Sequence, residues 1–276
     1  SLMVKQNNPL LPSTQGQKST QAMIQRQQFL DYMDDLLEVQ NFHDFCPQGL
    51  QVSGSEKIYS ITLAVTASLA AIQYAAQEKS DLLLAHHGLF WQGESPVITG
   101  WKKARIATLL AHNINLAVYH LPLDAHPILG NSAQLAKRLN WVVEQRIADR
   151  KLLFIGHLKQ PRYLAELAEH ISNELNRAPL VIGETKKLIR RIAWCTGAGQ
   201  SFFLNAIEEG VDAFLTGEAS EAQFHLAYEC DTAFIAAGHY ATERYGIQAL
   251  GKQIEQDWGI LSLIHISEPT RPERIS

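Results

Sequence analysis

The sequence lacks the features that mark several common classes of protein. Its three cysteines, Cys46, Cys195 and Cys230, are far apart and form no CxxC pair, which argues against a disulfide framework and a cysteine-ligated zinc knot. The 24 lysines and arginines do not outnumber the 28 acidic residues, and the net charge is −4. This balance disfavours nucleic-acid binding as the main role. A GxxxxGK[ST] loop for a triphosphate is also missing.

Long apolar runs are missing as well. The longest, such as 82–85 and 233–237, are far shorter than the roughly 20 apolar residues that span a bilayer. We find no signal peptide with a basic start and an apolar core. Together with the unpaired cysteines, this predicts a soluble protein of a reducing compartment, the cytoplasm.

The two ends of the chain differ from the rest. Residues 1–22 are rich in Gln, Ser, Asn and Pro, so we expect a disordered or non-native extension. Residues 261–276 resemble the conceptual translation of a sequencing adapter, which predicts a non-native tail and removes His265 from the candidate ligands. The alternative is a genuine polar tail with a turn at Pro269.

Strand-like and helix-like segments alternate between residues 23 and 260. The run 57–65 predicts a strand, and the runs 24–39 and 66–79 predict helices. Such alternation is typical of an α/β fold. The similar rhythm of the two halves predicts one domain of two related α/β lobes, about 23–140 and 141–260, with mixed, largely parallel sheets flanked by helices.

Three polar clusters directly follow apolar strands. They are His86 with His87, His120 with Asp124, and His239 with Glu243. In open α/β sheets, ligands bind at the carboxyl ends of strands. All three clusters therefore fall where a site is expected.

His86 and His87 are adjacent at the end of a predicted strand. Because the chain turns at Gly88, both imidazoles could face one site, and each could ligate one of two metal ions. The alternative is one hydrogen-bonded histidine and one that faces solvent.

His120 and Asp124 are separated by Leu–Pro–Leu. Pro122 argues against a regular helix, so we predict a loop that presents a nitrogen or proton donor and a carboxylate oxygen. The alternative is that Asp124 stabilises the following turn, as aspartates near Pro and Gly often do.

His239 and Glu243 are four residues apart. In a helix that begins near Gly238 they project from one face, and a carboxylate can bridge two metal ions. The alternative is an acid favoured by the helix dipole. Taken together, four histidines and two acids in three strand-end clusters match the mixed ligands of a dinuclear site.

Further segments give the chain a family resemblance. They are residues 49–54 (GLQVSG), 86–88, 119–124 leading to 130–131, 196–197, 216–218 and 238–243. In this order they resemble the YbgI-like family of dinuclear metal centre proteins, also called GTP cyclohydrolase 1 type 2 homologues. The resemblance covers residues 23–260.

The resemblance implies a ligand set and an assembly. Two divalent ions (Zn, Fe, Mn, Ni or Co) would be held by His86, His87, Asp124, His239 and Glu243. Glu243 would contact both ions, and His120 would lie beside them as the candidate catalytic residue. The family forms toroidal homohexamers, and the length fits members without an inserted domain. Two departures are Gln48, where the family usually has Asn, and a closing strand that the tail displaces.

Other groups leave alternatives open. Candidates for ring stacking and phosphate binding are Phe90, Trp91, Trp101, Lys102, Lys103 and Arg105. The simpler interpretation is core aromatics and a solvated helix face. We attribute Glu218 to the start of a helix, where the dipole favours an acid, and not to a ligand.

These observations predict a metal-dependent hydrolase that acts on a small molecule. Two ions would lower the pKa of a water and polarise a C–N, amide or phosphoester bond, while His120 moves a proton. The alternative is a non-catalytic ring that stores or delivers metal or serves as a scaffold. An open coordination position distinguishes the two. The charge balance disfavours a toroid that threads DNA.

Overall fold

The computed structural model of the protein describes residues 21–265. The helices are α1 (Arg26–Leu37), α2 (Leu69–Gln77), α3 (Gly100–Ala111), α4 (Leu121–Ala125), α5 (Asn131–Leu139), α6 (Leu164–Leu175), α7 (Phe203–Glu208), α8 (Glu221–Glu229) and α9 (His239–Trp258). The strands are β1 (Ile24–Gln25), β2 (Gly49–Val52), β3 (Lys57–Ile58), β4 (Ser60–Thr66), β5 (Leu82–His87), β6 (Asn115–Val118), β7 (Trp141–Ile147), β8 (Leu153–Tyr163), β9 (Leu180–Ile182), β10 (Leu188–Trp194), β11 (Ala213–Thr216), β12 (Ala233–Ala236) and β13 (Leu261–Ile264). Within this part of the chain, each helix is too short or too polar to cross a membrane. Most of the predicted extension 1–22 and residues 266–276 of the predicted tail lie outside the described residues.

The first sheet has five strands in the order β13-β4-β5-β6-β2. The first four are parallel, and β2 is antiparallel to β6. Successive side chains of a strand point to opposite faces, so both faces of this apolar sheet need a cover. Leu63 packs with side chains of α1 and α9, whereas Leu83 packs with side chains of α2 and α3.

The second sheet has six strands in the order β7-β8-β10-β11-β12-β9. Strands β10, β11 and β12 are parallel, and the other neighbours are antiparallel. Helices α5 and α6 cover one face, and α7 and α8 cover the other. Both sheets are mixed and flanked by helices, which confirms the predicted α/β class.

Helix α9 follows the last parallel strand of the second sheet but packs on the first. Its Ile247, Leu250 and Ile254 share a buried cluster with Leu63 of β4. The chain therefore crosses from one sheet to the other at the start of α9. This crossing places the first turn of α9 where the two sheets adjoin.

The segment after β6 is a helix, so the predicted loop is wrong. Helix α4 has His120 as its N-cap and Pro122 in its first turn. The N–H groups of a first turn have no partner inside the helix, so a proline there removes no hydrogen bond. The N–H groups of Leu123 and Asp124 both donate to the carbonyl of His120, at 3.0 and 3.1 Å.

The expected loss of the closing strand is also wrong. Strand β13, at the start of the predicted tail, pairs in parallel with β4 at the edge of the first sheet. The edge of a sheet offers free N–H and C=O groups to any extended segment, and Leu261 to Ile264 takes that place. The N–H of His265 donates to the carbonyl of Leu63 at 2.9 Å.

Candidate metal centre

The three predicted clusters meet where the two sheets adjoin. His86 and His87 end β5, Asp124 lies on α4, and His239 and Glu243 face each other across the first turn of α9. Their possible ligand atoms form two groups, and within each group the atoms lie within 4.8 Å of one another. One group is His86, Asp124 and Glu243, and the other is His87, His239 and Glu243. Glu243 therefore belongs to both.

The carboxylate of Glu243 divides between the two groups. Its Oε1 lies 3.5 Å from Nε2 of His86, which is also 3.3 Å from Oδ1 of Asp124. Its Oε2 lies 2.9 and 3.0 Å from Nε2 of His87 and His239. Although Oε2 is buried, it accepts no well-aligned hydrogen bond from any described residue. A cation that replaced the imidazole protons would be shared by this oxygen and the two nitrogens.

The other ring nitrogen of each of these histidines has its own partner. Nδ1 lies 2.9 Å from Tyr119 O in His86, 3.2 Å from Thr66 Oγ1 in His87, and 2.6 Å from Glu218 Oε1 in His239. An N–H at Nδ1 that donates to such an oxygen leaves the Nε2 lone pair for a metal. Metal-binding histidines are usually oriented in this way.

One side of the centre is closed and the other is open. The side chains of His86, Glu243 and Asp124 are 0%, 3% and 11% exposed. Those of His87 and His239 are 19% and 37% exposed. The centre is therefore accessible from solvent on the side of His87 and His239.

Burial and neighbouring charges shift the pKa values of the clustered side chains. Burial lowers the pKa of His86, but Asp124 and Glu243 outweigh it and hold that pKa well above its usual range. Burial also lowers the pKa of His239, yet the carboxylates of Glu243 and Glu218 raise it to about 9. Burial raises the pKa of Glu243, but the imidazoles around it hold it well below its usual value. Without metal, His86 and His239 thus keep protons that a cation would displace.

Glycine is required at position 197, beside the centre. Gly197 has a φ of +70°, and a Cβ there would overlap the carboxylate of Glu243 and lie 3.2 Å from Nε2 of His239. Its N–H donates to Oγ1 of Thr242 at 3.0 Å. The backbone after β10 therefore lines the centre, and a side chain at position 197 would project into it.

Comparison with known proteins identifies the family of this chain. A family model described as Duf34/NIF3 (NGG1p interacting factor 3) matches residues 24–272. The chain belongs to the Duf34/NIF3 family. It is 54% identical over 246 residues to a GTP cyclohydrolase 1 type 2 homolog of Neisseria meningitidis, covering 89% of this chain and 98% of the relative. A protein of the same name in Pseudomonas aeruginosa is 45% identical over 230 residues, with coverage of 82% and 91%. The resemblance noted in the sequence is thereby confirmed.

Solved structures share the fold of this Duf34/NIF3 chain. Protein ybgI, described as of unknown function, gives a TM-score of 0.87 at 44% identity, covering 90% of this chain and 100% of its own. A protein of Thermus thermophilus gives a TM-score of 0.81 at 31% identity, with coverage of 90% and 100%. Neither description names a substrate or a metal.

Glu218 does not begin a helix, contrary to our prediction. Helix α8 begins at Glu221, and its N-cap Ser220 forms a capping box with Gln223 in its first turn. Glu218 precedes that cap, and its Oε1 lies 2.6 Å from Nδ1 of His239. His239, and not the helix dipole, explains the acid at this position.

His120 lies beside the two groups and also forms a third group of possible ligands with His86 and His87, whose ligand atoms lie within 4.8 Å of one another. Its ring centroid is 5.0 Å from that of His86 and 5.8 Å from that of His87. Trp91 meets the His120 ring edge-to-face at 5.0 Å. The candidate catalytic histidine is therefore in contact with the centre, and one of the aromatic candidates packs against it.

The other candidates for substrate contacts have different roles. Lys102 is buried, donates to the carbonyl of Ser95 at 3.2 Å and lies over the Phe90 ring. It is neither solvated nor free to bind phosphate. Arg105 is half-buried and lies over the ring of Trp101, which is exposed and is therefore not one of the core aromatics of the simpler interpretation.

Sequence reasoning gave no role to the residues that hold Asp124. Asn131 is fully buried, and its Nδ2 donates to Oδ1 of Asp124 at 2.8 Å. Oγ1 of Thr196 donates to the same oxygen at 3.3 Å. Both residues stand in the segments that carry the family resemblance, and that is the signal that could have found them.

Proposed function

We propose that the chain holds two divalent metal ions and uses them to hydrolyse a small molecule. The observation that carries this proposal is the shared carboxylate of Glu243, which belongs both to the group of His86 and Asp124 and to the group of His87 and His239. A carboxylate between two cations offsets their mutual repulsion. A shared acid is therefore the natural centre of a dinuclear site.

The donor atoms suit a range of transition metals. Imidazoles and carboxylates, without a thiolate in either group, fit Zn, Fe, Mn, Ni or Co. Each group supplies three side chains, which leaves a coordination position for water or substrate. The exposure of His87 and His239 gives access to it. This opening favours catalysis over a ring that stores metal or serves as a scaffold.

The residues around the centre have distinct tasks in such a reaction. When bound, the two ions would lower the pKa of a water molecule and polarise the bond to be cleaved. The contacts at Nδ1 orient the imidazoles, while Asn131 and Thr196 orient Asp124. His120, in ring contact with His86, takes up a proton and returns it to the leaving group.

The substrate class follows from this chemistry and from the names of the relatives. These are called GTP cyclohydrolase 1 type 2 homolog, and a cyclohydrolase opens a ring by adding water at a carbon–nitrogen bond. We propose hydrolysis of a C–N, amide or phosphoester bond in a small molecule. Because the sequence has no P-loop, a triphosphate would need other binding groups.

We further propose a homohexamer that works in the cytoplasm, with neither nucleic acid nor a membrane as its partner. The family resemblance supports the ring, and the net charge of −4 disfavours nucleic acid. Light scattering at micromolar concentration tests the assembly. A stable monomer would contradict it.

Metal analysis followed by a substrate screen tests the function. Protein purified without oxygen is first analysed for its metal content. It is then stripped of metal, reconstituted with each candidate metal and assayed on nucleotides, cyclic amides and phosphoesters. We expect about two ions per chain and turnover that depends on them. Two bound ions without turnover of any substrate would support the storage or scaffold alternative.

A further inference from the structure

Asp44 is a buried carboxylate that neither metal-binding group includes. Its side chain is 1% exposed. Its Oδ1 lies 2.9 Å from Nδ1 of His120 and accepts the N–H of Phe45 at 2.6 Å, and its Oδ2 accepts the N–H of Leu121 at 2.7 Å. Burial raises the pKa of Asp44, but His120 and these N–H groups hold it below its usual value. Asp44 is therefore a fully hydrogen-bonded anion.

Asp44, Cys46 and His120 could by proximity hold a cation, because their ligand atoms also lie within 4.8 Å of one another. Hydrogen bonding already satisfies them, however. The oxygens of Asp44 have the partners given above, and Sγ of Cys46 accepts a hydrogen bond from Gln48 at 3.3 Å. Burial, and then the charge of Asp44, raises the pKa of Cys46 to about 12, so it stays a thiol and a poor ligand. The cluster of Asp44, Cys46 and His120 is therefore a support held together by hydrogen bonds. Oε2 of Glu243, in contrast, is buried and accepts no well-aligned hydrogen bond from a described residue.

His120 is held by this support in one orientation. Its backbone N–H donates to Oε1 of Gln48 at 2.8 Å, Trp91 packs against its ring, and Asp44 accepts from Nδ1. In the neutral imidazole, an N–H at Nδ1 leaves Nε2 as the unprotonated nitrogen. Nε2 is then the nitrogen of His120 that remains for chemistry beside His86 and His87.

We propose that Asp44 is a positioning residue that keeps the proton of His120 on Nδ1, so that Nε2 acts as the base at the metal centre. This inference rests on the hydrolase function proposed above. Nε2 takes a proton from water as the water oxygen bonds to the electrophilic atom of the substrate. The bond to the leaving group breaks, and Nε2 returns the proton to that group. Asp44 stays ionised and stabilises the imidazolium that exists in between.

The tautomer of His120 tests the inference directly. Full-length protein loaded with Zn²⁺ and labelled with ¹⁵N-histidine is studied by two-bond ¹H–¹⁵N correlation, with H120Q identifying the signals of His120. We expect a protonated Nδ1, an unprotonated Nε2, and an unchanged zinc content in H120Q. A proton on Nε2 in the wild type, or loss of an ion in H120Q, would overturn the proposal.

Substitution of Asp44 gives the second test. D44N and D44A should keep the zinc content, give His120 a mixture of tautomers and lower kcat, with little change in KM, by up to the roughly 10²–10⁴-fold that a general base contributes. The control is E144Q, which removes a similar 2.7 Å carboxylate–histidine contact, that of His157, at an exposed site. Unchanged kcat and tautomer in both Asp44 variants would refute the proposal. If the wild type turns over no substrate, the proposed function fails, while tautomer and zinc content still decide the role of Asp44.

Discussion

Oε1 of Glu218 lies 2.6 Å from Nδ1 of His239, whose other nitrogen lies 3.0 Å from Oε2 of Glu243. One imidazole is therefore held between two carboxylates. Glu243 belongs to both groups of possible ligands, whereas Glu218 contacts the ring from outside them. The same substitution at the two acids should have different results.

Glu243→Gln should release at least one metal ion, because a neutral amide no longer offsets the repulsion between the two cations. Glu218→Gln should retain both ions and weaken binding by about 10–100-fold, since it only orients His239. Metal stoichiometry after gel filtration measures the difference, with folding checked by circular dichroism. Equal stoichiometry in the two variants would show that Glu243 is not shared. Metal loss in E218Q alone would make Glu218 the ligand.

Gly197→Ala should displace metal as well as strain the backbone, and Gly210→Ala is its matched control. Their φ angles are +70° and +69°, but a Cβ at Gly210 meets nothing within 4 Å, whereas one at Gly197 overlaps Glu243. Both variants should lose about 1–2 kcal/mol to left-handed strain. G197A should lose about 1–3 kcal/mol more through overpacking, together with bound metal. Urea denaturation and metal analysis measure these effects, and equal losses in the two variants would contradict the steric account.

Much of the candidate centre could be predicted from local sequence pattern. His86 and His87 end an apolar run, and the carboxyl ends of parallel strands β4, β5 and β6 lie at one edge of the sheet. His239 and Glu243 have helical spacing and meet across one turn. These features depend on periodicity and strand direction, which are visible in the sequence.

The rest of the fold and of the candidate centre depends on contacts between residues far apart in the sequence, or on backbone conformations that the sequence pattern does not distinguish. Asp44 reaches His120 across 76 positions, and nothing near Asp44 in the sequence points to that histidine. Strands β2 and β9, which we did not predict, are four and three residues long and show no alternation of burial. Pro122 fits both a loop and the first turn of a helix, so it could not exclude α4.

Asn131→Ala should weaken the group that includes Asp124. Nδ2 of Asn131 donates to Asp124, and its Oδ1 accepts the N–H of Gly246 at 3.0 Å. Loss of such a buried partner costs about 1–3 kcal/mol. Asn131→Asp keeps an acceptor for Gly246 but replaces the donor to Asp124 with a second carboxylate. We expect both variants to bind less metal, and the exposed Asn173→Ala to behave as wild type in metal titrations and urea denaturation. Unaltered metal binding in N131D would show that the donor to Asp124 is dispensable.

Metal binding should release protons at neutral pH. The folded-state pKa of His239 is raised from its ordinary 6.5 to about 9. Its proton therefore stabilises the metal-free protein fully below 6.5, and that contribution is lost as pH rises through about 9. A cation competes with this proton for Nε2, so apparent affinity should rise with pH through the range in which His239 loses its proton. Calorimetric titration near neutral pH, in two buffers that differ in ionisation enthalpy, counts the protons released. We expect fewer in E218Q, because Glu218 helps to raise the pKa of His239. Binding heats that do not depend on the buffer in the wild type would show that neither His86 nor His239 carries a proton to displace.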